Sequence, residues 1–385
     1  MTTSETVSEP LSERMSERVS HSVFDGSRLR VVLLLDLKDG TQQQFLEAYE
    51  QLRNQVASVP GHVSDQLCQS IENPSQWLIT SEWESAPPFL AWVNSEEHVE
   101  VVKPLSRCVR DLKSLRYNIL RETGGPSATS EPAKGRLLAS PRIGDGVVRH
   151  ALTFTVKPGS ESTVARILSD YAPPEAQVDD TTRLLRTSLF MHGNRVVRTI
   201  EVRGDLMAAL RHVARQPQVR AVEEAINPYL EQSRDLSDPE SARMFFTLAA
   251  LPAVHHVTKG GQQPADVERH ALYYPAKQGY GERLARLLAR YDEAAADDPQ
   301  TPVRGSTIFQ RDDIVVRLID VRGGLEADPA LSLGFQDPRQ AAELTCLLDG
   351  DAAGKGGSAS ETRAIARLLE RAHMELITDR RSPGA

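Results

Sequence analysis

The chain has 385 residues, a formal net charge of −8 and 25% charged residues. An acidic balance of this size argues against a nucleic-acid partner, because binding to phosphates needs a basic face. No apolar run approaches the roughly 18 residues of a membrane span, and residues 1–27 lack the apolar segment of a signal peptide. We therefore expect a cytoplasmic protein without a membrane partner, whose residues 1–27, rich in Ser and Glu, form a disordered arm.

Residues 28–122 predict the order strand, helix, strand, strand, helix, strand, with the second helical region in two pieces. The apolar run Leu29–Leu37 is typical of a buried strand, and the apolar residues that follow it are spaced as on a helix. The later elements are strands over 63–71 and 77–83, helices over 89–93 and 96–112, and a strand over 115–120. This order is the ferredoxin-like split βαβ arrangement of an α+β protein.

The same pattern recurs twice at a nearly constant interval. Lys38-Asp39-Gly40 returns 119 residues later as Lys157-Pro158-Gly159, and 120 residues after that as Lys277-Gln278-Gly279. The acidic residue Glu82 has counterparts at Glu201 and Asp320. A period of this length exceeds that of solenoid repeats, so each repeat is expected to be a small domain with its own core. The sequence thus predicts three tandem ferredoxin-like modules.

Linkers rich in Gly, Pro and Ser separate the predicted modules. We place them at 123–146 and 258–267, which leaves a second module over 147–257 and a degenerate third over 268–380. A flexible insertion over 350–360 interrupts the third module. In the second module we predict the last strand at Met244–Leu248.

A ferredoxin-like sheet carries its helices on one face and leaves an apolar face that needs a partner. Two modules stacked face to face form a dimeric α+β barrel with a cavity between the sheets. The second and third modules are most alike and could pair, leaving the first to pair with a second copy of the chain in a homodimer. Pairing of the first with the second is the alternative.

Two segments carry a resemblance to known families. Thr80-Ser81-Glu82-Trp83-Glu84-Ser85, followed by Phe89-Leu90-Ala91-Trp92, Ser95 and His98, resembles the antibiotic-biosynthesis monooxygenase family. The segments 149–159, 184–203 and 216–236 resemble the SchA/CurD-like domain of aromatic polyketide and spore-pigment clusters. The resemblance implies a tailoring protein whose substrate is an aromatic polyketide intermediate, with cyclases of the same pathway as further partners.

No nucleotide, flavin or metal motif is present, and Cys68, Cys108 and Cys346 lack the spacing of a zinc site. We therefore expect no cofactor, with dioxygen as co-substrate, because a deprotonated polyphenol can itself give an electron to dioxygen. Such chemistry needs an apolar slot, a base and a hydrogen-bond donor. The candidates are Trp83 and Trp92 for the slot, His98 and His62 for the base, and Asn94, Arg198 and Tyr49 for substrate binding.

Each candidate has a structural alternative. The tryptophans suit core packing, and the histidines suit surface or capping positions. Asn94 is better placed to cap the helix that follows it, and Arg198 could pair with Glu201 or Asp179. Glu223 is expected on a solvated helix face. Three functions remain open: oxygenation of a polyphenol, cyclisation or folding of the polyketide chain, and a non-catalytic scaffold.

Overall fold

The computed structural model describes residues 19–119, 145–232, 234–235, 238–259, 266–337, 339–350 and 361–382. Most of the predicted linkers and insertion, and residues 1–18 of the predicted arm, lie outside these ranges. The rest of the arm is structured, contrary to expectation. Val19–Ser22 forms strand β1, and Val23–Asp25 forms a 3-10 turn. The reason is that β1 pairs with a strand of the second module while Val23 is buried.

The first module is an open antiparallel sheet with helices on one face. Its elements are β2 (Leu29–Leu37), α1 (Gln42–Val56), β3 (His62–Gln69), β4 (Gln76–Trp83), α2 (Ala86–Val93), α3 (Glu96–Cys108) and β5 (Val109–Asn118). The strand order is β3-β4-β2-β5. Helix α3 ends four residues earlier than predicted, because Val109 already has extended backbone and pairs with Leu37.

The second module runs through residue 259. Its elements are β6 (Val147–Thr155), α4 (Glu161–Ser169), β7 (Arg183–His192), β8 (Arg195–Arg203), α5 (Leu206–Arg215), α6 (Pro217–Ile226), α7 (Pro239–Ala249) and β9 (Ala250–Thr258). The prediction of a strand at Met244–Leu248 is wrong, since these residues belong to α7. There Phe245 and Ala249 share a buried face at helical spacing.

The third module begins at residue 266. Its elements are β10 (Val267–Pro275), α8 (Gly281–Asp297), β11 (Val303–Arg311), β12 (Ile314–Arg322), α9 (Pro329–Ser332), α10 (Arg339–Leu347), α11 (Glu361–Ala372) and β13 (His373–Arg381).

The second and third modules close into one barrel of eight strands. Around it the strands follow the order β9-β11-β12-β10-β13-β7-β8-β6, and β6 returns to β9. The last strand of each module crosses to the other: β9 leaves β6 after three residue pairs to join β11, and β13 leaves β10 after two to join β7. The two modules therefore pair within the chain, and β1 adds to β9 from outside the ring.

Buried side chains of both modules meet inside the barrel, where the sequence predicts a cavity. One half is apolar and is made by residues of both modules: Ala151, Phe190, Val197, Leu251, Ala271, Phe309, Val316, Leu318 and Met374. The other half holds ion pairs. Arg269 bonds Glu201 at 2.6 Å and Asp320 at 2.8 Å, while Arg186 bonds Asp320 at 3.1 Å and also Asp379.

These ion pairs hold the two modules together across the barrel. Burial alone would raise the pKa of Asp320, but the guanidiniums of Arg269 and Arg186 outweigh it and hold that pKa well below its usual value. A carboxylate kept charged in this way depends on its partners, because removing one leaves an unpaired buried charge.

The first module packs on the outside of the barrel through one continuous apolar cluster. This cluster joins Leu29, Trp83 and Phe89 of the first module to residues of the third, with Val23 of the arm between them. On the opposite face of its sheet, Leu34 and Tyr117 are 42% and 52% exposed. Across the described ranges, no helix combines the length and apolar character needed to span a bilayer.

Candidate functional site in the first module

A cavity of about 930 Å³ opens between the end of α1 and the start of α3. Its lining combines one tryptophan, small apolar residues and several polar side chains: Gln51, Gln55, Ser58, Val59, Pro60, Trp92, Ser95, Glu96, Glu97, Glu100, Val101 and Pro104. The size lies near the upper end of the range for small-molecule sites, about 300–1,000 Å³. Among the predicted site residues, Trp92 lies on its wall.

Trp92 and His98 form a pair at this cavity. Trp92 is 8% exposed, and its ring meets that of His98 edge-on at 5.3 Å between centroids. The imidazole Nδ1 of His98 is buried and has no hydrogen-bond partner among the described residues. Burial lowers the pKa of His98 to about 4, so the imidazole is neutral at pH 7 and can accept a proton.

His62 belongs to a second polar group, behind the cavity. It opens β3, and its Nε2 lies 3.4 Å from Oδ1 of Asp65. The other carboxylate oxygen of Asp65 accepts a hydrogen bond from the Tyr49 hydroxyl. Burial, and then the hydrogen bond to Asp65, raise the pKa of Tyr49 well above its ordinary value, so the phenol keeps its proton. Tyr49 and His62 thus approach the two oxygens of one carboxylate, Tyr49 with a hydrogen bond and His62 with a 3.4 Å contact.

Sequence reasoning missed Asp65 as a member of this group. The signal was present, because Asp65 and Leu67 are two residues apart on a strand and must share the face that Leu67 turns to the core. An acidic residue on a core-facing position needs a polar partner there. Tyr49, on the buried side of α1, is that partner.

Trp83 lies at the end of β4 and packs in the core. It is 1% exposed, its ring meets Phe89 at 5.5 Å and His62 at 5.2 Å, and its indole N–H donates to Ser81 at 2.8 Å. Trp83, His62 and His98 do not belong to the cavity wall. The predicted residues therefore fall into two groups: Trp92 on the wall with His98 against its ring, and Trp83, His62 and Tyr49 apart from the wall.

Asn94 does not cap the helix that follows it, contrary to our preferred interpretation. Ser95 is the N-cap of α3, and its hydroxyl accepts the backbone N–H of His98 at 3.1 Å. Asn94 ends α2 instead, where its amide donates to the Leu90 carbonyl at 2.7 Å. A serine hydroxyl is the better N-cap here because it sits one residue closer to the helix.

Arg198 lies between the sheet and the helices of the second module, away from this cavity. It bonds Glu223 at 2.8 Å rather than Glu201 or Asp179. The expectation of a solvated Glu223 is wrong, since its carboxylate is buried and also accepts from Arg234. Burial would raise the pKa of Glu223, but Arg198 and Arg234 outweigh it and hold the pKa below its usual value.

Arg317, the repeat mate of Arg198, is fully buried in the third module. It donates to Asp292, to the carbonyl of Leu333 at 2.7 Å and to Ser306 at 3.2 Å. Both arginines therefore pair with an acidic residue on a helix that covers their own sheet. The described parts of the chain bring together no group of three or more His, Cys, Asp or Glu side chains suited to a metal ion.

The fold and the site define a class of protein: a ferredoxin-like module with an aromatic and histidine cavity, followed by a closed α+β barrel. Residues 28–104 match the family described as antibiotic biosynthesis monooxygenase. Residues 147–259 and 267–333 match the SchA/CurD like domain, so this match extends into the third module.

Three relatives match almost the whole chain. Identity is 66% to "Polyketide synthase CurD" of Streptomyces cyaneus, over 94% of this chain and 97% of the relative. Identity to the "42.8 kDa protein in whiE locus" of Streptomyces coelicolor is 63%, over 94% of this chain and 90% of the relative. Identity to "Protein SchA" of Streptomyces halstedii is 60%, over 94% of this chain and 96% of the relative. The chain therefore belongs to the SchA/CurD family and carries an antibiotic biosynthesis monooxygenase domain in its first module.

Among solved structures, SnoaB of Streptomyces nogalater, titled a cofactor-independent oxygenase, aligns with 25% of this chain and 96% of its own. The identity is 13% and the TM-score 0.24, and a likeness of this size carries no functional weight.

Proposed function

We propose that this protein tailors an aromatic polyketide, and that the first module oxygenates a polyphenolic intermediate with dioxygen as co-substrate and without a bound cofactor. The observation that carries the proposal is the cavity of about 930 Å³ with Trp92 on its wall and the unpartnered Nδ1 of His98 behind that ring. The match to the monooxygenase family over residues 28–104 and the names of the relatives support it.

The reaction balances without a protein-bound redox group. A phenolate gives one electron to dioxygen, and the two radicals combine at a ring carbon to form a peroxide. Loss of water from that peroxide leaves a quinone, so one oxygen atom enters the ring and the other leaves as water. The substrate loses two hydrogens. The protein has to hold the ring and take the phenolic proton.

Trp92 and His98 supply these functions in the proposal. The indole packs on a flat ring, a contact worth about 0.5–1.5 kcal/mol beyond burial of area. The pKa of His98, lowered to about 4 by burial, makes it a weak base in the free protein. A phenolate formed beside it favours the imidazolium and raises that pKa, because an adjacent negative charge stabilises the cation. Proton transfer and substrate binding are thereby coupled.

Tyr49, Asp65 and His62 are proposed as the support of this site. Asp65 lies 3.4 Å from the imidazole of His62 and is proposed to orient it, which makes His62 the alternative base if the cavity extends past Trp92 when a ligand binds. Arg198, expected from sequence to bind substrate, is proposed here as structural because Glu223 occupies its guanidinium.

We further propose that the three modules are copies of one ancestral unit, of which the first keeps the chemistry. The strand order supports this, since the first strand lies between the third and fourth strands in each module. The second and third modules have filled their shared interior and act as a support. The free sheet face of the first module, with Leu34 and Tyr117 exposed, is proposed to bind a second copy of the chain. Cyclases of the same pathway are proposed as further partners.

The deciding experiment incubates the purified chain with 1,8-dihydroxyanthrone, a reduced polyphenol, with and without dioxygen. The proposal expects the anthraquinone to form faster than the spontaneous oxidation, only in the presence of dioxygen, with one atom of labelled dioxygen in the product. Ring closure of a linear polyketide without dioxygen would support the cyclase or folding function instead. If the chain neither binds nor turns over any of the ring compounds, the scaffold function remains.

A further inference from the structure

A second cavity, of about 300 Å³, lies where the first and second modules meet. The first module contributes Lys103 from α3, and the second contributes α7 together with Gln232, Arg234 and Asp238. The lining is Lys103, Gln232, Arg234, Asp238, Ser241, Met244, Phe245 and Leu248. One side is thus apolar and the other carries two cationic side chains.

Arg234 is the central polar residue of this cavity. It is 5% exposed, it donates to Glu223, and its guanidinium carbon lies 4.2 Å from the ring centroid of Phe245 and 5.3 Å from that of Phe246. Its Nε has no hydrogen-bond partner among the described residues. A buried donor without a partner costs about 1–3 kcal/mol, so an acceptor that reaches it is favoured.

Charged groups of both signs surround Arg234, and its Nε is a donor that lacks a partner among the described residues. Glu223 is shared by the guanidiniums of Arg198 and Arg234, so two cations have one carboxylate between them. Lys103 adds a further cation, bonded to Glu100 at 2.5 Å on its own helix. Asp238 is the acidic side chain on the wall, and it accepts the backbone N–H of Ser241 at 3.2 Å, so its carboxylate is bonded to the start of α7.

We propose that this cavity binds a small aromatic carboxylate. The ring packs on Phe245 and Leu248, and the carboxylate accepts hydrogen bonds from Arg234 and Lys103. A guanidinium suits a planar carboxylate because its donors form a fork of matching geometry. A volume of about 300 Å³ is the lower limit for a ligand site, so the ligand has one or two rings. This site is separate from the cavity beside Trp92.

The test is calorimetric and ligand-observed NMR titration of the full chain with 2-naphthoate and with 2-naphthamide, its uncharged analogue. We expect the carboxylate to bind at least 10-fold more tightly than the amide, because a hydrogen bond to a charged group is worth about 1.5–3 kcal/mol. Equal affinity for the two compounds, or no binding of 2-naphthoate up to 10 mM, would overturn the proposal.

Three variants identify the site. Lys103→Gln and Arg234→Gln should each weaken 2-naphthoate binding about 5-fold or more, since each removes one charged donor. Lys113→Gln removes the same charge from an exposed strand position outside the cavity and should leave the affinity unchanged. Arg234 is buried, so its variant is checked by circular dichroism. If Arg234→Gln unfolds, Lys103→Gln still tests the site. Unchanged affinity for 2-naphthoate in Lys103→Gln would reject the site.

Discussion

The first module and the barrel place their strands in the same order but treat the last strand differently. In the first module β5 pairs with β2 along its whole length, from Leu29 to Leu37. In the barrel β9 leaves β6 at Pro252, after three residue pairs, and joins the other module. Proline has no N–H to donate to a ladder, so Pro252 marks a natural point of departure. β13 makes the same crossing after Met374, where no proline stands, so Pro252 favours the departure of β9 but is not required for a crossing.

The repeat position held by Glu82, Glu201 and Asp320 also differs between the first module and the barrel, in the ion pairs that it forms. Glu201 and Asp320 bond arginines of the opposite module across the barrel. Glu82, at the corresponding position, bonds Arg30 of its own sheet at 2.8 Å and also Arg28. The barrel therefore uses this position to join two modules, whereas the first module satisfies it locally.

The largest expected effect is on the barrel. Arg317→Ala leaves Asp292 buried without its partner, which should lower the free energy of unfolding by about 3–5 kcal/mol. Urea unfolding monitored by circular dichroism measures this, with the exposed Arg290→Ala as control. Turnover by the molecules that stay folded should be near that of the wild type. An unfolding midpoint equal to that of the wild type would show that Arg317 is not needed by the barrel.

The next effect concerns chemistry in the first module. His98→Ala and Trp92→Ala should each lower turnover about 10²-fold or more, the scale of a lost general base or of a misplaced substrate. The matched control is His373→Ala, an exposed histidine of the barrel, which should retain full turnover. If His98→Ala keeps its activity while His62→Ala loses it, the base is His62 and the two polar groups exchange roles.

A smaller effect is on the pH dependence of stability. The pKa of His98 is about 4 in the folded chain, below its unfolded value near 6.5, so the unfolded state takes up the proton first as the pH falls. Stability is therefore lost between about pH 6.5 and 4, and His98→Ala should reduce that loss by about 1–3 kcal/mol. Urea titrations at pH 7 and pH 4.5 test this. His150 and His256 of the barrel also have lowered pKa values, and their effect on stability is the same in the wild type and in His98→Ala.

The smallest effect is on association of the first module. We expect light scattering at micromolar concentration to show twice the chain mass of 42.5 kDa. Leu34→Glu, on the exposed sheet face, should weaken the dimer at least 10-fold, because a charge on an apolar contact must be desolvated. Leu376→Glu, equally exposed on the barrel, is the control. A wild-type monomer at that concentration would rule out the homodimer.

The sequence predicted the elements of the first module well because its apolar periodicity is regular. Local patterns could not show where β9 crosses, since that depends on a partner strand about fifty residues further on. Glu223 looked solvated for the same reason: its partners Arg198 and Arg234 are 25 and 11 residues away. The N-cap of α3 is Ser95, one residue after the predicted Asn94, and Asn94 stands at the end of α2 instead. The site residues were chosen from chemistry and resemblance, and only the fold separates Trp92 and His98 from Trp83 and His62.

Because β13 belongs to the third module, the β7 edge of the second module stays unpaired until the third module has been synthesised. Arg186 on β7 finds its partner Asp379 on β13 only 193 residues later, which is roughly 10–40 s at a translation rate of about 5–20 residues per second. Until then the β7 edge of the second module has no strand beside it, while the first module can already fold. An unpaired strand edge is prone to pair with a neighbouring chain. Crowded polysomes should therefore expose the β7 edge of the second module to misassembly until β13 has been made.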